Sequence, residues 1–156
     1  MKKILSVIFI TVILFSFASC TAKPKETVID INSVKSQITE KVELSDPLDI
    51  GTDALSDLYG IDSADVAESA CLVTMDGTFP DEVIIVKAQD ENSKQRIVDA
   101  LNSRLSEVKT QSQNYDETNY KLAQECKVIT EGNYVALFVS AHHAEMEEIF
   151  ESAVQK

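Results

Sequence analysis

Basic residues are scarce in this chain. Lys and Arg number 14 against 26 Asp and Glu, which gives a formal charge of −12 over 156 residues. Nucleic-acid binding depends on Lys and Arg neutralising phosphate, so that class of partner is excluded. The same repulsion should hold the body off an anionic membrane surface rather than flat against it. Glycine and proline are also few, at 4 and 3, beside a hydrophobic fraction of 44%. That balance excludes a linker-like chain and leaves a globular one. After Cys20 no apolar run approaches the ~20 residues that a membrane-spanning helix needs. Catalytic signatures are missing too: there is no G-x-S-x-G elbow, C-x-x-C pair, H-E-x-x-H or P-loop. Asp46, Asp49, Asp53 and Asp57 do not fall into a calcium-loop pattern and read as caps and solvated faces. The expectation is therefore a non-enzyme without cofactor, metal or catalytic residues.

What is present begins with Lys2 to Cys20. Two lysines precede an apolar run from Ile4 to Phe17, and the small residues Ala18 and Ser19 precede a cysteine. This is the layout of a secretory signal with a small-residue cleavage site. The run is short and broken by Ser6, Thr11 and Ser16, which disfavours an uncleaved anchor. Phe17-Ala18-Ser19-Cys20 resembles the bacterial lipobox, with Phe17 where an aliphatic is usual. A thiol is required there because lipid is attached through a thioether. The competing reading is an ordinary signal peptide that happens to leave a cysteine nearby. The expected organisation is a lipoprotein signal peptide over 1–19, a lipidated Cys20 with tether over 20–27, and one globular domain over 28–156. Two acyl chains would hold such a protein stably where one binds marginally. Lys23 and Lys25 would sit beside the bilayer, on its outer face.

In the body, Ile31, Val34, Ile38 and Val42 mark an amphipathic helix that Asp30 or Asn32 could cap. Asp46-Pro47 reads as a break. A short helix is expected over Asp53–Tyr59, started by Thr52 or Asp53 and ended by Gly60. Asp62 to Asp65 reads as a turn, Val66–Met75 as a strand and Asp76–Asp81 as a loop. Val83–Val86 is a continuous β-branched run, as in a strand covered on both faces. Ile97, Val98, Leu101, Leu105 and Val108 form one helical stripe, capped by Asp90 or Ser93. Tyr115 and Tyr120 flank Asp116 with the spacing of a hydrophobic staple around an N-cap; the functional alternative is an aromatic pair gripping a ligand. Cys126–Thr130 and Tyr134–Ser140 read as a hairpin around Glu131-Gly132-Asn133. A last helix carries Met146, Ile149, Phe150, Ala153 and Val154.

Two units in this order align. Cys71 stands to Gly77 as Cys126 stands to Gly132, and Ala88 to Ile97 as Ser140 to Ile149. The expected fold is α+β: a four-stranded, mainly antiparallel sheet from two ββα units with helices packed on it, plus an N-terminal helix. Equivalent positions at strand starts would make Cys71 and Cys126 neighbours. Without the strand order they stand either as a disulfide, which needs α-carbons within ~7 Å, or as two buried small hydrophobes.

Glu82-Val83-Ile84-Ile85-Val86-Lys87, the helix of Leu101 and Arg104, Tyr115-Asp116, Tyr120 and Gly132-Asn133-Tyr134-Val135 together resemble a domain-of-unknown-function family of Gram-positive, largely clostridial, lipoproteins. The likeness covers Ala54 to Ala153, and Gly132–Val135 is its most specific part. Glu117 departs from it, since the family often has Pro there, although an acid also suits a helix start. The resemblance implies an extracytoplasmic lipoprotein and no particular activity.

Three candidates for chemistry remain. His142 and His143 are the only histidines. His143 and Glu147 would share a helix face as a metal pair might, but two ligands do not close a site, so exposed polar residues at a helix start are expected. Cys71 lies in an apolar strand with nothing to activate its thiolate. Arg104, beside an apolar stripe, is set either to hold a carboxylate ligand or to pair with an acid of its own domain. The favoured function is a membrane-anchored, non-enzymatic module for an envelope protein or a small extracellular ligand. The alternatives are a carboxylate-dependent envelope hydrolase or transferase, and an accessory subunit of an export or envelope assembly.

Overall fold

A computed structural model describes residues 28–74 and 79–154; the signal segment, Cys20, the tether and Gly77 lie outside the described residues. The strands form first from alternation. In β2 (Val66–Val73), β3 (Glu82–Ala88) and β5 (Tyr134–Val139) successive residues point to opposite faces, and both faces are covered along β3, β5 and the second half of β2. β3 and β5 are therefore almost wholly buried, as the unbroken Val83–Val86 run predicts. β4 (Val128–Glu131) joins β5 through Gly132-Asn133, with Gly132 at φ 53. A positive φ at the first central position suits a primed two-residue turn and is easiest for glycine.

The sheet has five strands in the order β1-β2-β3-β5-β4, all antiparallel, where the sequence suggests four. The extra one is β1 (Leu48–Ile50), an edge strand paired with Val73, Leu72 and Cys71. Three residues are too few to show a period. Pro47, which reads as a break, stands just before the strand, where a missing N–H costs nothing. Asp46 makes the turn into it at φ 48.

Both ββα units are present, but their helices lie on opposite faces. The helix of the first, α3 (Glu91–Tyr115), packs Ile97, Leu101, Leu105 and Val108 on the face that carries Ile84, Val86, Val135 and Leu137. α2 (Thr52–Tyr59) and Ala123 of α4 (Glu117–Glu125) join that layer. The helix of the second, α5 (His143–Val154), packs Met146, Ile149 and Phe150 on the other face, against Phe138 and Ile85, beside α1 (Ile31–Lys41). The result is three layers with the sheet in the middle.

Caps fix the helix starts. Asp30, Asp90 and Asp116 accept backbone N–H bonds at the heads of α1, α3 and α4. α2 differs from these three. Its N-cap is Gly51, without a side-chain bond, and Thr52 bonds the Ser69 hydroxyl of β2 instead. Gly60 ends α2 at φ 68, as its position predicts.

Cys71 and Cys126 are free, buried thiols. Neither opens a strand: Cys71 sits within β2, and Cys126 ends α4. The register runs Cys71, Ile84, Leu137, Val128 across the sheet. Three strand spacings thus place the β4 end of that row roughly 14 Å from Cys71, twice the reach of a disulfide.

Candidate functional site

The charged chemistry gathers where β2 ends and β3 begins. Glu82, the first residue of β3, lies between Val73 and Val139 and its side chain is only 3% exposed. An ionised carboxylate this deep is costly unless paired and hydrogen-bonded. Two residues from other elements do this. Arg104 of α3 forks onto it, with Nε at 3.1 and 3.2 Å from the two oxygens and Nη2 on Oε1. Tyr59 of α2 donates its hydroxyl to Oε2 at 3.1 Å, and the guanidinium lies 6.0 Å over the Tyr59 ring. Burial, then the Glu82 charge, pushes the Tyr59 phenol well above its usual range. The Glu82 bond raises the Arg104 pKa against burial. This is a charge-compensated lock, and it forms one wall of a small cavity of about 160 Å³ reaching Thr74 and Pro80. Arg104 therefore pairs within its own domain through its Nε and Nη2.

Pro80 also borders a larger groove of about 530 Å³. Val108, Gln111, Ser112 and Tyr115 line it from the last turns of α3, and Asn119 from α4. Asp116 closes the corner between these helices. It accepts the N–H groups of Thr118 and Asn119 at 2.7 and 3.0 Å, so it is the N-cap that its spacing predicts. The packing half of the staple is not made. Tyr115 is 89% exposed, which leaves its ring open beside the groove rather than closed on Tyr120. It belongs to the end of α3, which runs to Asp116 and turns the ring outward.

The histidines divide. His142 is exposed, but the His143 side chain is 12% exposed, which corrects the expectation of two solvated residues. Its Nε2 lies 3.5 Å from Glu125 of α4 and its Nδ1 3.5 Å from Glu147 of α5. The α4–β4 corner covers it, a contact without any local trace in the sequence. The carboxylates flank opposite ring nitrogens, so one ion cannot take both together with the histidine. Glu147 is also held by Lys127 at 2.8 Å. Among the described residues no group of three or more His, Cys, Asp or Glu suits a metal ion.

The thiols are inert in character. Burial raises the Cys71 pKa to about 11 and moves Cys126 upward as well. No described helix is long and apolar enough to cross a membrane. Sequence reasoning singled out Arg104 and Tyr115 but not Glu82, Tyr59 or Gln111 as site residues. The one available signal was an acid heading a fully apolar strand, a position that requires a partner whenever both faces are covered.

No curated protein and no solved structure matches this chain. A family model does, over residues 40–140, which is most of the body and includes Tyr59, Glu82, Arg104, Tyr115 and the β4–β5 turn. The chain belongs to the family described as domain of unknown function DUF4358.

Proposed function

We propose that the protein is a lipoprotein held through Cys20 on the outer face of the cytoplasmic membrane, where its body acts as a non-enzymatic binding module. The Lys2–Cys20 layout and the resemblance to Gram-positive lipoproteins support the anchor. The observation that carries the module reading is polarity. The chain enters the body where the Ile29 N–H donates to the Tyr134 hydroxyl at 3.0 Å, at the β5 start. That end of the sheet also holds the Gly132 turn and Ala88, whose N–H bonds Asn133. The groove lies at the opposite end, beyond the β2–β3 connection. β3 alone separates the two by about 23 Å. A tether over 20–27 would thus turn the entry end to the bilayer and the groove away from it, toward whatever lies outside.

A detergent-phase partition of intact protein tests the anchor. Wild type should enter the detergent phase and Cys20→Ser should leave it. A Cys20→Ser protein that stays behind overturns the lipid attachment. A photo-crosslinker placed at Gln111 in intact cells tests the module. It should capture a specific envelope component, whereas one at Val28, on the entry end, should capture a different set or none.

A further inference from the structure

We infer that the groove between α3, α4 and Pro80 is a binding site for a neutral oligosaccharide, with Tyr115 as its stacking platform and Gln111 as its polar contact. The inference rests on the binding-module reading above and gives that site its ligand class.

Two other cavities among the described residues already have their charges matched. The small one beside Glu82 is walled by the Arg104 lock. A shallow one of about 400 Å³ at the other end holds Asp65 and Arg96, already joined to each other. The groove differs in kind. Among the described residues no Lys or Arg lines it and Asp116 closes one corner, on a chain of formal charge −12, so phosphates and carboxylates are repelled. Val108 and Pro80 supply apolar surface, but Gln111, Ser112, Asp116 and Asn119 stand among it, so a wholly greasy ligand would leave polar groups unpaired. A peptide in extended form would need a free strand edge, and the strands nearest the groove, β2 and β3, have partners on both sides.

What the groove does offer is an open aromatic ring among groups that both donate and accept. Gln111 and Tyr115 lie four residues apart on α3, hence on one face of the helix. Gln111 is exposed, and Ser112, largely buried, also lines the groove. A sugar ring matches this set: its C–H face lies on a phenol ring while its hydroxyls meet amide and hydroxyl groups. The cavity volume falls within the usual span of small-ligand sites.

The test titrates full-length protein, in a detergent without a sugar head group, with cellotetraose, maltotetraose and chitotetraose. Side-chain amide and tyrosine signals are followed by nuclear magnetic resonance. At least one tetrasaccharide should give saturable shifts confined to Gln111, Tyr115 and their neighbours. Tyr115→Ala should then weaken binding about tenfold while Tyr115→Phe keeps most of it, because the ring face does the stacking. Asp65→Asn, at the other end of the sheet, should leave the affinity unchanged. No shift with any of the three, or shifts that Tyr115→Ala leaves intact, overturns the inference. So does tighter binding of an anionic sugar or a peptide at the same residues. If the crosslinker at Gln111 still captures a specific protein, the module reading survives that failure; if it captures nothing, both fall.

Discussion

Helix α3 makes the same bond twice, eight residues apart, in two different surroundings. Arg96 grips Asp65 through Nε at 2.8 Å and through Nη2, and Arg104 grips Glu82 in the same forked manner. Geometry is shared; burial is not. Arg96 is 58% exposed against Asp65 at 10%, while Arg104 is 24% exposed against Glu82 at 3%. The first pair fastens the turn before β2 to the head of α3, with the Ser93 hydroxyl also on Asp65 at 3.0 Å. The second closes the wall next to the groove. An exposed pair is screened and contributes little. A buried one has already lost its water, so each partner depends on the other.

The largest effect should therefore follow Arg104→Ala, which strands the Glu82 carboxylate with Tyr59 alone. Breaking a buried pair from one side costs about 3–5 kcal/mol. Urea unfolding followed by far-ultraviolet circular dichroism should show that loss. Replacing both partners together, Arg104→Met with Glu82→Met, should recover part of it, since no charge is then left buried. If the double variant is as unstable as the single one, the pair's burial is not what sets its importance.

Next in size is Tyr59→Phe, which removes one donor to Glu82 and leaves the ring under the guanidinium. A hydrogen bond to a charged group contributes about 1.5–3 kcal/mol, and with Arg104 still in place the lower figure is expected. The unfolding midpoint should fall without a change in slope. An unchanged midpoint would mean that Arg104 alone satisfies the carboxylate, and that the two arginine sites differ less than their burial suggests.

The contrast between the pairs also marks what could be seen in the sequence. Periodic helices were legible: the stripes of α1, α3 and α5, and the caps Asp30, Asp90 and Asp116, are local patterns. So was β3, because an unbroken β-branched run needs cover on both faces. β1 was not, since three residues carry no period. The lock at Glu82 was not either. Its partners stand 22 and 23 residues away on two helices, and an acid before an apolar run looks like a solvated flank. The groove escaped for a related reason. The α3 residues that line it between Val108 and Tyr115, namely Gln111 and Ser112, are polar, and Pro80 comes from another element. The disulfide question turned on strand order alone, which no local pattern encodes.

The smallest effect belongs to the outer pair, and pH and salt both read it. The Arg96 hydrogen bond holds the Asp65 carboxyl below the usual carboxylate range; burial works against this and the Ser93 hydroxyl adds to it. A carboxyl with a depressed folded pKa takes up its proton more readily in the unfolded chain. Its stabilisation is thus present above the unfolded carboxylate value, about 3.9, and is lost as pH falls through the folded value. Asp65→Asn should consequently be a little less stable than wild type at neutral pH, and the two should converge in acid. Because Arg96 is more than half exposed, the neutral-pH gap should also narrow in molar salt. The Arg104→Ala gap, set by desolvation, should persist there. Thermal unfolding of both variants at low and high salt reads the difference directly. A gap at Asp65 that ignores salt would place Asp65 and Arg96 in the same class as Glu82 and Arg104, and the turn before β2 would then be as firmly locked as the wall of the small cavity.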